Sequence, residues 1–146
     1  MKKGEMLNAA LKLAVKAHDG QYDRSGTPYI MHPLKVLFYT KSDDEEIQCI
    51  AILHDTVEDS DTTWYDLEEA GMTPRIVAAV KALTKVKGQG YDEYRDAVFA
   101  NKDAMLVKLA DLRHNTDIRR MKGVTEKDRA RMARYHAFAF DIQQKL

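Results

Sequence analysis

Residues 42–59 read SDDEEIQCIAILHDTVED, and the fold class follows from how this stretch repeats. Ser42-Asp43-Asp44-Glu45 has the form of a capping box, in which a first side chain and an acid three residues on satisfy the free amides of a helix start. Beyond it, Ile47, Ile50, Ala51 and His54 recur at steps of three and four, so they share one face, and the run EIQCIAILHD is predicted to be helical. That helix is apolar around most of its girth where the His54-Asp55 pair arrives. An imidazole and a carboxylate set among core residues are costly to bury unless a cation, a proton or strong donors meet them. A metal ion would satisfy both; a frayed helix end that leaves them in water is the plain alternative.

The same periodicity continues outward in both directions, and no alternating strand pattern persists. A helix is expected over Glu5 to Asp19, with Leu7, Leu11, Ala14 and His18 on one face and Asn8, Lys12 and Lys16 on the other. Those polar residues interrupt what could otherwise pass for the apolar segment of a signal peptide. The segment GQYDRSGTPYIMHP carries two glycines and two prolines and reads as a loop. Further helices are expected over Pro33 to Lys41, from Thr73 with Pro74 as first helical residue, over Tyr91 to Ala100, over Asp103 to Asn115, and from Thr125 to the end. The fold class is all-α, and 146 residues are expected to form a single domain over 1–146.

Lys plus Arg and Asp plus Glu both number 23, a balance that argues against a general nucleic-acid binder. The longest apolar runs, Cys49 to Leu53 and Ile76 to Val80, span five residues, too few for a membrane helix. One cysteine, Cys49, permits no internal disulfide and suits the reducing cytoplasm. Charge is nevertheless segregated. Eleven acids and no Lys or Arg lie between Ser42 and Pro74, whereas sixteen basic residues face nine acidic ones from Arg75 onward. Solvated helix faces would explain this, and so would a carboxylate-rich floor opposed by basic groups, as a metal-phosphate site requires.

Asp111 repeats the anomaly of Asp55, because it sits in the apolar stretch AMLVKLADLRHN. Lys108, Asp111 and Asn115 fall on one line of the helix, so a Lys108–Asp111 ion pair at the surface is the plain alternative, worth little there. His32 stands just before Pro33 at a helix entrance. Together His32, His54, Asp55 and Asp111 supply two imidazoles and two carboxylates, a donor set suited to a divalent transition metal that polarises phosphate. Glu58 and Asp59 follow one turn after His54-Asp55, near enough to orient an attacking water or take its proton. An exposed acidic loop is their alternative, since Asp61, Asp66, Glu68 and Glu69 continue the run.

The strings SGTPYIMHP, HDTVED and KLADLRHN, in that order, resemble the HD-domain hydrolase of RelA/SpoT proteins and the small alarmone hydrolases, over roughly Leu7 to Asn115. The resemblance implies an all-helical HD-domain bundle with one Mn2+ held by His32, His54, Asp55 and Asp111, and a Glu58-Asp59 pair that serves the attacking water. It implies removal of pyrophosphate from the 3′ position of (p)ppGpp, giving GDP or GTP. Asn115 would contact the sugar region, while Arg24, Ser25 and Tyr29 belong to a motif that lines the nucleotide pocket. The partner implied is a small nucleotide, not a nucleic acid or a membrane, and self-association is left open. Dinuclear HD enzymes need further histidines between the His-Asp pair and the last aspartate; none stands between His54 and His114, so the site is read as mononuclear. His18-Asp19, the other His-Asp pair, is read as packing or orienting rather than ligating.

Two positions depart from the family pattern. Asp23 stands where a second basic residue is common, and ADLRHN replaces the usual order ADRLHN, which moves the arginine to Arg113 and to another helix face. Both bear on the substrate and neither on a ligand, which keeps open a phosphohydrolase acting on another nucleotide, or a non-catalytic nucleotide-binding regulator. KVKGQG lacks a P-loop ending and reads as a connector, while Trp64 and the aromatics of RYHAFAF read as packing residues. At this length no synthetase segment is expected.

Overall fold

A computed structural model describes residues 1–121 and 123–146. Among these residues the chain forms α1 (Glu5–Ala17), α2 (Met31–Thr40), α3 (Glu45–Leu53), α4 (Thr56–Asp59), α5 (Trp64–Glu69), α6 (Pro74–Leu83), α7 (Tyr91–Phe99), α8 (Lys102–Asn115), a 3-10 turn (Ile118–Arg120) and α9 (Glu126–Lys145). No β-strand occurs among them; one isolated bridge, Tyr22 to Pro28, closes the loop between α1 and α2. None of the described helices is long and apolar enough to cross a membrane.

Most helix starts are fixed by a side chain that accepts from a free amide: Asp44 for α3, Thr63 for α5, Thr73 for α6, Asn101 for α8 and Thr125 for α9. Thr125 completes a capping box with Asp128. The expected box at Ser42 shifts by two residues. Asp44 caps α3, while the Ser42 hydroxyl accepts from the Asp44 amide and so shapes the turn ahead of it. Two further boundaries move. α1 stops at Ala17, with His18 as its cap, and α2 starts at Met31, so that His32 lies inside the first turn. Pro33 is tolerated there because amides of a first turn have no partner within their own helix.

α3 is the central element. Ile47, Cys49, Ile50, Ala51, Ile52 and Leu53 are all buried, and the helix packs against α1, α2, α6 and α8. Each large aliphatic side chain buried there contributes about 1.5–3 kcal/mol. α8 also packs on α2, so α2, α3 and α8 meet in one place. His32 lies on α2 and Asp111 on α8, and the His54-Asp55 pair follows directly on the end of α3.

Candidate metal centre and adjoining cavity

α3 does not run through Asp55 as its periodicity predicts; it stops at Leu53 and α4 begins at Thr56. The Thr56 hydroxyl donates to the Leu53 carbonyl at 2.8 Å, a local bond that competes with helix continuation. Asp55 sits in the break with φ −106° and ψ 0°, the bridge region where active-site residues are often found. His54 is buried, and its Nδ1 lies 2.7 Å from the Ala51 carbonyl. A carbonyl can only accept, so Nδ1 carries a proton, and in the neutral ring Nε2 holds the lone pair.

That lone pair points at two carboxylates. His54 Nε2 is 3.1 Å from Asp55 Oδ2 and 3.3 Å from Asp111 Oδ1, yet it makes no hydrogen bond. From α2, His32 Nε2 lies 2.9 Å from Asp111 Oδ1 and 3.6 Å from Asp55 Oδ2. The four sequence-predicted ligands are therefore neighbours, each imidazole Nε2 lying within 3.6 Å of an oxygen of both carboxylates. A nitrogen lone pair facing two anionic oxygens is repulsive until a proton or metal ion lies between them.

The electrostatics agree. Burial alone would raise the Asp55 carboxyl, but His54 beside it brings its pKa down to about 2. Burial likewise opposes ionisation of Asp111, and Lys108 with the two imidazoles overrides it and holds this carboxyl well below the usual range. For His54 burial favours the neutral ring, but Asp55 and Asp111 prevail and push its pKa well up. The cluster demands positive charge at its centre. The orphaned Nε2, a mixed nitrogen and oxygen donor set, and the mutual closeness of His32, His54 and Asp55 all fit a divalent metal ion.

The Lys108–Asp111 pair forms at 2.8 Å, but it is not the surface pair that sequence spacing allowed. The side chains are 13% and 5% exposed, and the ammonium also lies over the Tyr94 and Phe138 rings. Asp111 thus divides its oxygens: Oδ2 takes Lys108, while Oδ1 faces the imidazoles and accepts from Asn115 Nδ2 at 3.0 Å. Tyr29 donates its hydroxyl to Asp55 Oδ2 at 2.5 Å, and burial plus Asp55 raise its own pKa. Behind Tyr29 stands His18, 2% exposed and linked through Nδ1 to Gln21, whose amide reaches the Asp59 carbonyl. His18 is thus a buried partner of the site's wall and not part of the cluster.

Sequence reasoning missed His114. It is buried on α8, and its Nδ1 lies 2.7 Å from His32 Nδ1. Burial, with Arg120 and His32 nearby, brings its pKa down to about 4, so the ring is neutral at physiological pH. Its only sequence signal was its place one turn after Asp111.

Glu58 and Asp59 lie on α4, exposed to solvent at the edge of the cluster, with oxygens close to those of Asp55. The Glu58 carboxylate is held by the Lys85 amide at 2.6 Å, so the KVKGQG connector positions this acid through its backbone. Partial burial in the cleft wall and the charge of Asp55 raise the pKa of both carboxyls, against the Lys85 bond at Glu58.

A cavity of about 570 Å³ opens beside the cluster, with Tyr29 and Asn115 in its wall and Arg24, Arg120, Arg131 and Tyr135 around it. Asp23 does not face it as a bare charge. Its Oδ1 accepts from the Ser25 amide and hydroxyl and from the Thr27 amide, and its Oδ2 lies 3.6 Å from Arg120. The carboxylate builds the loop, and the Ser25 hydroxyl is committed to it. Arg24 is largely exposed and reaches Asp128 at 3.5 Å. Arg113 lies over the Tyr39 ring and lines a second cavity. Among the remaining aromatics, Phe138 is core and Phe140 is exposed, while Trp64 is half-buried beneath Lys81.

A helical body with His and Asp side chains from three meeting helices defines a protein with a metal-type centre at a helix junction. A profile of the HD domain matches residues 10–141, and the chain belongs to the HD-domain family. Similar curated proteins include the guanosine-3′,5′-bis(diphosphate) 3′-pyrophosphohydrolase of Aquifex aeolicus (strain VF5), 32% identical over 117 residues, covering 73% of this chain and 17% of that protein. Another is the bifunctional (p)ppGpp synthase/hydrolase SpoT of Escherichia coli (strain K12), 34% identical over 141 residues, covering 88% of this chain and 20% of that protein. The chain thus spans no more than a fifth of the length of these relatives. A similar solved structure, described as a metazoan ortholog of SpoT that hydrolyzes ppGpp and plays a role in starvation responses, has a TM-score of 0.76 and 25% identity, covering 97% of this chain and 86% of that one.

Proposed function

We propose that the chain is a Mn2+-dependent phosphohydrolase that removes pyrophosphate from the 3′ position of (p)ppGpp in the cytoplasm. The observation that carries this reading is the convergence of His32 Nε2, His54 Nε2, Asp55 Oδ2 and Asp111 Oδ1 around a buried nitrogen without a partner. The substrate rests on the likeness to proteins named for hydrolysis of (p)ppGpp, one of them for hydrolysis at the 3′ position. His32, His54, Asp55 and Asp111 would hold the metal. When bound, a divalent cation neutralises phosphate charge and acidifies water.

The chain's own groups account for the remaining steps. Glu58 or Asp59 takes a proton from the attacking water, and a raised pKa makes either a stronger base than an ordinary carboxylate. The water oxygen bonds to the phosphorus carried on O3′, and the P–O3′ bond breaks. Pyrophosphate leaves, O3′ takes up a proton, and GDP or GTP remains. Tyr29 steadies Asp55, Asn115 presents its amide at the cavity wall, and Arg24 with Arg120 supplies positive charge toward the nucleotide.

A second reading keeps the metal and changes the nucleotide. It is favoured by Arg113, which lies over Tyr39 instead of lining the cavity beside the cluster. The test is turnover of a panel of phosphorylated nucleotides with and without Mn2+, with products separated by chromatography. Selective release of pyrophosphate from ppGpp, lost in EDTA, supports the first reading. Preference for another nucleotide supports the second. Tight nucleotide binding without turnover in any divalent metal would replace both with a regulator.

A further inference from the structure

We infer that His114 is a positioning residue for the metal site: it takes the Nδ1 proton of His32 in a hydrogen bond and so frees His32 Nε2 as a ligand. The inference rests on the metal reading above. Each ring nitrogen of His32 faces one neighbour, Nε2 facing Asp111 Oδ1 at 2.9 Å and Nδ1 facing His114 Nδ1 at 2.7 Å. A neutral imidazole has one proton to place. On Nε2 it goes to Asp111 and blocks coordination. On Nδ1 it needs an acceptor, and His114 Nδ1 is the atom at hydrogen-bond distance.

The ring geometry fits that bond. The two planes are inclined by 15° with centroids 5.0 Å apart. With the nitrogens 2.7 Å apart, that centroid separation sets the rings edge to edge, as an in-plane N–H···N bond requires.

The two histidine ligands are therefore held differently. His54 is fixed in one tautomer by the Ala51 carbonyl, which can only accept. The partner of His32 is itself an imidazole and can either donate or accept. His32 thus has two proton arrangements on one set of heavy-atom positions. In one, its Nε2 proton bonds Asp111 and His114 donates. In the other, its Nδ1 proton bonds His114, whose own single proton sits on its Nε2, and His32 Nε2 is bare, its former proton having gone to solvent. Positive charge at the cluster selects the second, with no ring rotation. Because α8 carries both Asp111 and His114, a single helix supplies one ligand and orients another. Outer partners of this kind commonly govern affinity as well as geometry.

The test compares Mn2+ affinity, read from the electron paramagnetic resonance of free Mn2+, for the wild type, His114→Phe and His114→Asn. Phenylalanine keeps a ring without a nitrogen and should weaken binding about 10–100-fold. Asparagine can place an acceptor oxygen where Nδ1 lies and should recover most of that loss. Long-range 1H–15N spectra of the Zn2+-loaded wild type should show His32 protonated on Nδ1 and bare on Nε2. Circular dichroism in EDTA checks that each variant is folded, and the wild-type spectra stand even if His114→Phe is not. A folded His114→Phe with wild-type Mn2+ affinity overturns the inference while leaving the metal reading intact. A wild type that binds no Mn2+ removes the metal reading and this inference with it.

Discussion

Asp111→Asn separates the two duties of this residue and gives the sharpest test of the site. The amide matches the carboxylate in shape but has only one oxygen. If that oxygen faces Lys108, the NH2 group replaces Oδ1 and meets the Asn115 amide donor, which now sits 3.0 Å from the acceptor it has lost. If the amide turns round, NH2 meets the Lys108 ammonium, now 2.8 Å from its lost partner. Either way a buried cation loses its counter-charge. Breaking a buried pair costs about 3–5 kcal/mol, and a retained neutral hydrogen bond returns about 1 kcal/mol, so a net loss of about 3 kcal/mol is expected. At about 2–4 °C per kcal/mol for a chain of this size, Tm should fall by about 6–12 °C. Thermal and urea unfolding in EDTA at pH 7 measure this without metal linkage. Adding Lys108→Met should cost less than the sum of the two single changes, because it removes the stranded charge. Mn2+ at 100 times its Kd should add about 2.7 kcal/mol to the wild type and almost nothing to the variant. An Asp111→Asn protein that melts within about 1 °C of wild type in EDTA would show that the pair is solvated and the reasoning wrong, since an exposed pair is worth only about 0–1 kcal/mol.

Asp55→Ala should abolish Mn2+-dependent turnover while preserving helical circular dichroism, because Asp55 lies in the break between α3 and α4 and outside the aliphatic core; retained turnover refutes its assignment as a ligand. The acid limb of the pH–rate profile should lie above the ordinary carboxylate range, because the base works deprotonated and its pKa is raised, so activity is full above that pKa and lost as pH falls through it. Asp59→Asn removes a like charge near Glu58 and should move the limb of any residual activity to lower pH, measured across a buffer series. Asp23→Ala should raise KM for the nucleotide, because it frees Ser25, Thr27 and Arg120 together. A lower KM would mean that charge alone decides and that the carboxylate only repels phosphate.

How much could be read from the sequence depended on the length over which a pattern repeats. α3, α6 and α8 were legible because nine to fourteen residues of 3.6-fold periodicity and a capping residue fix a helix well. α4 and α5, of four and six residues, complete too few turns to show a period. The break at His54-Asp55 was illegible for a different reason. It depends on the Thr56 hydroxyl outcompeting a helix bond, and Thr56 reads like any other residue in HDTVED. The ligands stood out because polar side chains interrupt apolar stretches. Their partners did not, since a hydrogen bond between His32 and His114 spans 82 positions and leaves no local mark.

Asp23 shows the limit of reading charge one residue at a time. In the sequence it is an acid beside a phosphate-binding motif and counts against nucleotide binding. In the fold it accepts three bonds from its own loop and approaches Arg120, whose Nη1 donates to the Asn115 side-chain oxygen at 3.0 Å. Asn115 in turn donates to Asp111. The carboxylate that looked like a defect of the pocket therefore begins a chain of contacts ending on a proposed metal ligand. The cluster itself is kept largely from water by the packing of α2, α3 and α8 against one another. Hydrophobic burial along residues 47–53 and electrostatic strain at residues 54–55 meet where α3 ends, and a cation between the imidazoles and carboxylates relieves the second without disturbing the first.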